Sequence, residues 1–183
     1  MKKFQFLGLA LILSVVLTHS ASGAVRSWDL DQAHSGIYFS IDHIFSKVNG
    51  HFNDFKTEIN FDPANLAESR LFFEIKVDSI DTNIAKRDKH LQSADFFDAA
   101  SFPTMTFESK KITDAGNGLY NIMGVLNIKG ENYDTTLPLT LAGVKEHPAK
   151  KGTDVAGFNG NITIDRLAHK VGNGKFHEMG VVG

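Results

Sequence analysis

The side chains able to do chemistry in this chain are histidines, carboxylates, hydroxyls and arginines, because it has no cysteine. Histidine ligates metals as neutral imidazole and passes protons near neutral pH. His34 and His43 bracket the run AHSGIYFSIDHIF, and their nine-residue spacing tests both uses. In one continuous strand, odd spacing sends the two side chains to opposite faces, and at ~3.3 Å per residue they stand roughly 30 Å apart. Two ligands of one metal each lie about 2 Å from it. An unbroken strand therefore cannot bring this pair to a shared ion. His51, His90, His147, His169 and His177 form no HxxxH or HExxH spacing, so no metal site is expected. Hydrogen bonding at strand ends and in loops is their expected role.

Nucleophilic chemistry finds no better footing. There is no GxSxG, and Ser35 follows His34 directly, so on a strand the two would point to opposite faces. Gly172-Asn173-Gly174 makes neither a phosphate loop nor a dinucleotide fingerprint. Most carboxylates fall at solvent-facing strand positions or in turns. No catalytic residue and no cofactor are expected. An enzyme acting on a lipid or small exported substrate, through a polar cluster assembled only by the fold, stays open as an alternative.

The elements that would position any site begin after a leader. Lys2 and Lys3 precede an apolar run from Phe4 to Leu17, and Ser20-Ala21-Ser22-Gly23-Ala24 supplies small residues. This is the layout of a secretory signal peptide over residues 1–24, with cleavage after Ala24. The apolar run is shorter than the ~20 residues of a spanning helix. A soluble periplasmic domain over 25–183 is expected, with no integral membrane segment after leader removal. Without cysteine it has neither a disulfide nor a lipidated N-terminus. The formal charge is −2 without a basic cluster, which argues against nucleic acid and anionic membrane surfaces as partners.

Within the domain, apolar residues recur with period two, the signature of half-buried strands. Ile37, Phe39 and Ile41 share one face. Phe55, Thr57, Ile59 and Phe61 share another, as do Leu71, Phe73, Ile75 and Val77. The pattern continues through Met105 and Phe107; through Tyr120, Ile122, Gly124, Leu126 and Ile128; and through Leu137, Leu139 and Leu141. Phe158, Ile162 and Ile164 form the last set. Turn signals stand at Asn49-Gly50, Asp62-Pro63, Gly116-Asn117-Gly118 and Lys129-Gly130. Short strands joined by short turns pair antiparallel. Only the stretch between Asp78 and Pro103 lacks the pattern, and it predicts short helical turns. Pro138 predicts an edge or a bulge. The sheet is expected to close as an antiparallel barrel, with a sandwich as the alternative. Apolar residues at this period are ordinarily plain core; fifteen phenylalanines against one tryptophan also fit a wide interior lined by rings, and the count by itself does not decide between the two.

Several segments together resemble a known family. Trp28-x-Leu30-Asp31-x-x-His34-Ser35 opens the domain, and Val48-Asn49-Gly50-His51-Phe52-x-x-Phe55 follows. The middle reads Arg87-Asp88-x-His90-Leu91-x-Ser93-x-Asp95-Phe96-Phe97-Asp98, then Phe102-Pro103-x-Met105-x-Phe107. Gly124-x-Leu126-x-Ile128-x-Gly130 and Asp165-Arg166 complete the match. On these residues the chain resembles the YceI-like family of periplasmic, lipocalin-like proteins. The resemblance implies an all-β fold: an antiparallel eight-stranded lipocalin-like barrel with a short helical insertion. It also implies non-enzymatic binding, storage or transport of a long-chain isoprenoid lipid, either a quinone or a polyprenyl phosphate. Ile37, Phe39, Ile41, Phe55, Phe73, Ile75, Phe107, Leu126, Leu139, Phe158 and Ile162 would line the lumen. Arg87, His90 and Arg166 are the candidates for a head group at the mouth, since guanidinium clamps phosphate bidentately. The competing reading of the Arg87–Asp98 block is a structural plug. An interaction module for a membrane redox partner is a further alternative. Two departures stand out. The turn after Arg166 lacks the family's aromatic-glycine pair. The family continues into one more strand where this sequence stops, so the last strand is expected to be missing from the record, or the edge to pair with a second copy as a homodimer.

Overall fold

The computed structural model describes residues 24–183. Of the leader expected over 1–24, all but Ala24 lies outside the described residues. The described chain runs through β1 (Ser27–Trp28), a 3-10 turn (Gln32–His34), β2 (Ile37–His43), β3 (Ser46–Phe52), β4 (Phe55–Asn60) and β5 (Arg70–Lys76). A second 3-10 turn (Val77–Ser79), β6 (Ile80–Asp81) and α1 (Ala85–Gln92) follow. Then come β7 (Thr104–Gly116), β8 (Leu119–Ile128), β9 (Glu131–Glu146), β10 (Asp154–Gly160) and α2 (Lys175–Glu178).

Every strand pairing is antiparallel. Seven strands form one sheet in the order β1-β4-β5-β7-β8-β9-β10, and β2-β3-β6 form a second. The large sheet curls until its end strands meet. Arg26 Nη1 of the β1 segment lies 2.9 Å from Asp154 Oδ2 of β10, and the Trp28 ring stands edge-on to Phe158 at 6.4 Å. These side chains, rather than a hydrogen-bond ladder, bring β1 to β10. The expected barrel is thus nearly closed, with its strands shared between two sheets rather than laid in one ring of eight. At its open side, Val182 bridges to His43, and Gly183 N donates to Asp42 O at 3.0 Å.

Two turns follow from residue type. Asn117 and Lys129 adopt positive φ next to glycines that share it, as tight hairpins of this twist require. Asn49-Gly50 corrects the expectation of a turn: it lies in the middle of β3, with Gly50 opposite Phe39. The hairpin bends instead at Ile44, whose φ is 51°, and Phe45 stands fully exposed there at 102%. Nothing in the types of Ile44 and Phe45 announces a turn. Pro138 faces outward on β9, and the β10 ladder ends at Leu139 beside it, so its missing N–H leaves no gap in that pairing.

The interior holds two apolar clusters. One gathers Phe61, Leu71, Phe107, Ile112, Tyr120, Ile122 and Leu139. The other gathers Phe52, Val77, Ile80, Phe96, Met105, Ile128 and Val171. Leu126 packs against both. The helical insertion supplies Phe96 and Phe97 to the second cluster, and Phe176 of α2 stacks on Phe96 at 6.1 Å.

Candidate functional site

Strand register arranges the inward side chains in rungs. Thr57 pairs with Phe73, Phe73 with Phe107, Phe107 with Leu126, and Leu126 with Tyr133. The next rung toward β3 runs Phe55, Ile75, Met105. From the small sheet, Ile37, Phe39 and Ile41 face the same interior as Phe52, Gly50 and Val48. Ile37, Phe39, Ile41, Phe55, Phe73, Ile75, Leu126 and Phe158 are only partly buried, whereas Phe107 and Leu139 are buried. An interior-facing ring that keeps solvent-accessible area has not been closed over by its neighbours. Ile162 does not join this set. It lies past the end of β10 at 36% exposure, because the ladder stops at Gly160.

Two rings lie across glycines, which fixes their aim. A Cβ on Gly50 would sit 2.4 Å from Phe39 Cζ, and one on Gly124 would sit 2.8 Å from Phe107 Cζ and 2.3 Å from Glu108 O. Each ring occupies the space a side chain would otherwise claim. Polar groups inside are few. Ser109 Oγ accepts from Leu71 N at 2.8 Å. Thr57 Oγ1 is buried without a hydrogen-bond partner.

The head-group candidates hold the chain itself. Arg87 donates from Nε to Thr82 Oγ1 and from Nη2 to Thr82 O, both at 2.7 Å. Asp88 accepts from Thr82 N at 2.8 Å, tying the start of α1 to β6. His90 Nε2 lies 3.0 Å from Asp95 Oδ2, and its ring meets Phe96 edge-on at 5.1 Å. Lys129 Nζ donates to Phe96 O at 2.7 Å. Contacts within the chain thus tie the Arg87–Asp98 block to β6 and to Lys129, with Phe96 and Phe97 in the second cluster. Arg166 donates to Val171 O at 3.1 Å and Val182 O at 3.2 Å, and also to Gly183 O. Partial burial pulls its guanidinium below its ordinary value, opposed by Asp165. Asp165 accepts from Ala168 N and Leu167 N, which holds its carboxyl below the ordinary 3.8. Arg87 and Arg166 thus direct these donors to oxygens of the chain itself, while Arg166 and His90 both border the Phe96 ring.

The two histidines of the opening run are separated by structure as well as length. His34 sits in a 3-10 turn with Nδ1 2.8 Å from Asp31 Oδ2, and His43 ends β2. Among the described residues no three His, Asp or Glu side chains are placed to hold a metal ion.

A cleft of about 480 Å³ opens where β2 begins and β3 turns into β4. Ile37, Phe52 and Phe55 border it, as do Tyr38 and His51, which alternate with Ile37 and Phe52 along their strands and so stand on the outward face of the hairpin. Its polar lining includes Gln32, Tyr38, His51, Asn53 and Asp54. Sequence reading missed it, because its residues come from two segments that are joined only once β2 and β3 pair. The repeated proximity of polar residues to inward-facing aromatics at both ends of that hairpin was the available signal.

Comparison with known proteins agrees with this architecture. The family model for the YceI-like domain matches residues 28–183. A UPF0312 protein of Vibrio cholerae serotype O1 is 34% identical over 165 residues, covering 90% of this chain and 85% of its own length. One from Shewanella denitrificans is 36% identical over 167 residues, covering 88% and 83%. The crystal structure of Burkholderia cenocepacia BcnA superposes with a TM-score of 0.75 at 30% identity, covering 84% of this chain and 92% of that one. That of the Campylobacter jejuni YCEI protein gives 0.64 at 38% identity, covering 80% and 85%.

Proposed function

Because this chain belongs to the YceI-like domain family, we propose that its barrel binds a long-chain isoprenoid lipid, as a non-enzymatic carrier or reservoir in the periplasm. The observation that carries this reading is the state of the inward face. Ile37, Phe39, Ile41, Phe55, Phe73, Ile75, Leu126 and Phe158 point inward yet stay partly accessible. Apolar area left open inside a folded barrel is area a ligand can cover, at ~25 cal/mol per Å². A prenyl chain is a series of branched five-carbon units. Ring-lined walls match it without specific hydrogen bonds.

An exported location agrees with the carrier role, since an isoprenoid lipid needs a protein to cross an aqueous space. Among the described residues no helix is long and apolar enough to cross a membrane. The test is direct binding. Trp28, the only tryptophan, contacts Phe158 of the lumen set and reports occupancy through its fluorescence. Titration of lipid-stripped protein with a quinone or a polyprenol should give saturable quenching at one ligand per chain. Absence of saturable binding by both compounds contradicts the proposal.

A further inference from the structure

The hairpin joining β2 to β3 is closed by two residues, Ile44 and Phe45, between the paired His43 and Ser46. Neither type suits the place. Ile44 has a φ of 51°, a left-handed backbone that a β-branched residue rarely adopts and that glycine or asparagine takes more readily. Phe45 leaves its ring wholly in water. The tip is nonetheless held in place. Ile44 N donates to Val181 O at 3.0 Å, and Gly183 N donates to Asp42 O at 3.0 Å. β3 therefore braces β2 on one edge and residues 181–183 brace it on the other. Two apolar side chains are carried outward on a fixed, strained turn, and packing within the chain offsets neither the strain nor the exposed ring.

We propose that this tip is a membrane-contact site, which inserts Phe45 and Ile44 into the interface of an uncharged lipid bilayer. Area and charge select that partner. Ile44 is more than half exposed, as is Met179, two residues before Val181. With about 200 Å² for the Phe45 ring, the patch reaches a few hundred Å², short of the ~800 Å² per side of a stable protein–protein interface. A bilayer needs no such area, because it is fluid and closes around an apolar group at its headgroup–acyl boundary. The charged side chains within two residues of the loop, Asp42 and Lys47, lie opposite each other in the ladder and pair at 2.5 Å. Lys175 and Glu178 of α2 offset each other as well. This end of the molecule lacks the lysine and arginine excess that draws a protein to anionic lipid.

The tip is also continuous with the inward face of the small sheet. Ile41 and Val48 stand opposite each other, half-buried, on the side of the hairpin that carries Ile37 and Phe39. From Ile41 to Ile44 is about 10 Å of strand. A protein seated on a bilayer by this tip has that apolar row starting at the lipid surface. The contact does not depend on what fills the interior, so vesicles free of isoprenoid test it.

Flotation of the purified protein with phosphatidylcholine vesicles measures its partition. Binding should change less than about twofold between roughly 0.05 and 0.5 M salt, since no charge attraction is there to be screened. Phe45→Ser should lower the partition coefficient at least about tenfold, because some 60 Å² or more of ring then has no counterpart entering the lipid, and its thermal midpoint should stay level. Phe45→Trp should retain binding, with a blue-shifted emission on vesicles that Trp28 alone does not give. Ile44→Asn should lower the partition coefficient while raising the thermal midpoint, because asparagine tolerates the left-handed backbone; a turn with only a structural role would show no such opposition. Val155→Ser, at an exposed position of β10, should leave partition unchanged. Failure to bind neutral vesicles, or equal binding by Phe45→Ser, overturns the assignment. So does binding confined to anionic vesicles and abolished by salt. Self-association that depends on Phe45, in protein that ignores vesicles, would give the tip to a second copy instead. Quinone titration reads the interior separately: vesicle binding without quinone or polyprenol binding sinks the lipid reading and leaves this contact standing.

Discussion

Two alanine substitutions separate a packed core from a half-open lumen. Ile122 is 0% exposed and pairs with Ile112 on one side and Leu137 on the other. Both neighbours are held by hydrogen-bonded strands and cannot collapse far into a void. Ile122→Ala should therefore cost about 2–5 kcal/mol, the range for buried large-to-small changes that leave a cavity. Phe73 faces the same interior but keeps part of its area open, with its ring 6.2 Å from that of Phe107. A fully buried phenylalanine is worth about 3–5 kcal/mol when cut to alanine. Phe73 is mostly buried, so most of that cost remains, about 2–4 kcal/mol for Phe73→Ala. The area the protein does not cover is what a ligand covers. If some 60 Å² of ring meets the ligand, ~25 cal/mol per Å² gives about 1.5 kcal/mol, or roughly tenfold in affinity. Ile122→Ala should leave affinity nearly unchanged in the protein that remains folded. Urea denaturation followed by Trp28 fluorescence measures the first quantity, and quinone titration the second. Affinity unaffected by Phe73→Ala, in protein that stays folded, would refute the argument: the face would then be ordinary core.

Three further outcomes follow from single contacts. Gly124→Ala places a Cβ 2.3 Å from the backbone oxygen of Glu108, so it should destabilise by about 1–3 kcal/mol as overpacking does, visible as a lower urea midpoint. Arg166→Gln removes donors to Val171 O and Val182 O; amide exchange should speed up over 171–182 while the β5–β7–β8 amides stay protected. Asp165 has a folded-state value below 3.8 because the Ala168 and Leu167 amides favour its ionised form. A depressed carboxyl contributes stability above the unfolded value, and that contribution is lost as pH falls through the folded value. Carboxyl carbon NMR should therefore give a midpoint below 3.8 for Asp165, and Asp165→Asn should remove this acid-side step. A midpoint at or above 3.8 would show that those amide bonds do not form.

Much of the barrel was legible because period two is a direct consequence of the pleat. Phe55, Phe73, Phe107 and Leu126 share a face in the sequence pattern and in the rungs. The helical insertion was visible as the one stretch without alternation, and α1 lies within it. What escaped depended on contacts between distant segments. Asn49-Gly50 carries a turn signature, yet Gly50 is a strand residue whose bare backbone accommodates the Phe39 ring. Ile162 keeps the alternation beyond Gly160, but the β9–β10 ladder ends at the Gly160–Leu139 pair although β9 itself runs back to Glu131. Arg87 and Arg166 have the chemistry to bind phosphate, and only hydrogen-bond geometry shows that backbone oxygens take those donors. Thr57 reads as an ordinary strand residue until its hydroxyl is found buried and unpaired.

The central claim is that the half-open interior belongs to an isoprenoid lipid. It is tested most directly by mass spectrometry of an organic extract of the protein, purified without detergent from the periplasm of a bacterium that exports it. The account predicts a prenyl-chain species, near one per protein chain and depleted in Phe73→Ala. An extract without prenyl lipid, from protein that also fails to bind added quinone or polyprenol, would contradict it.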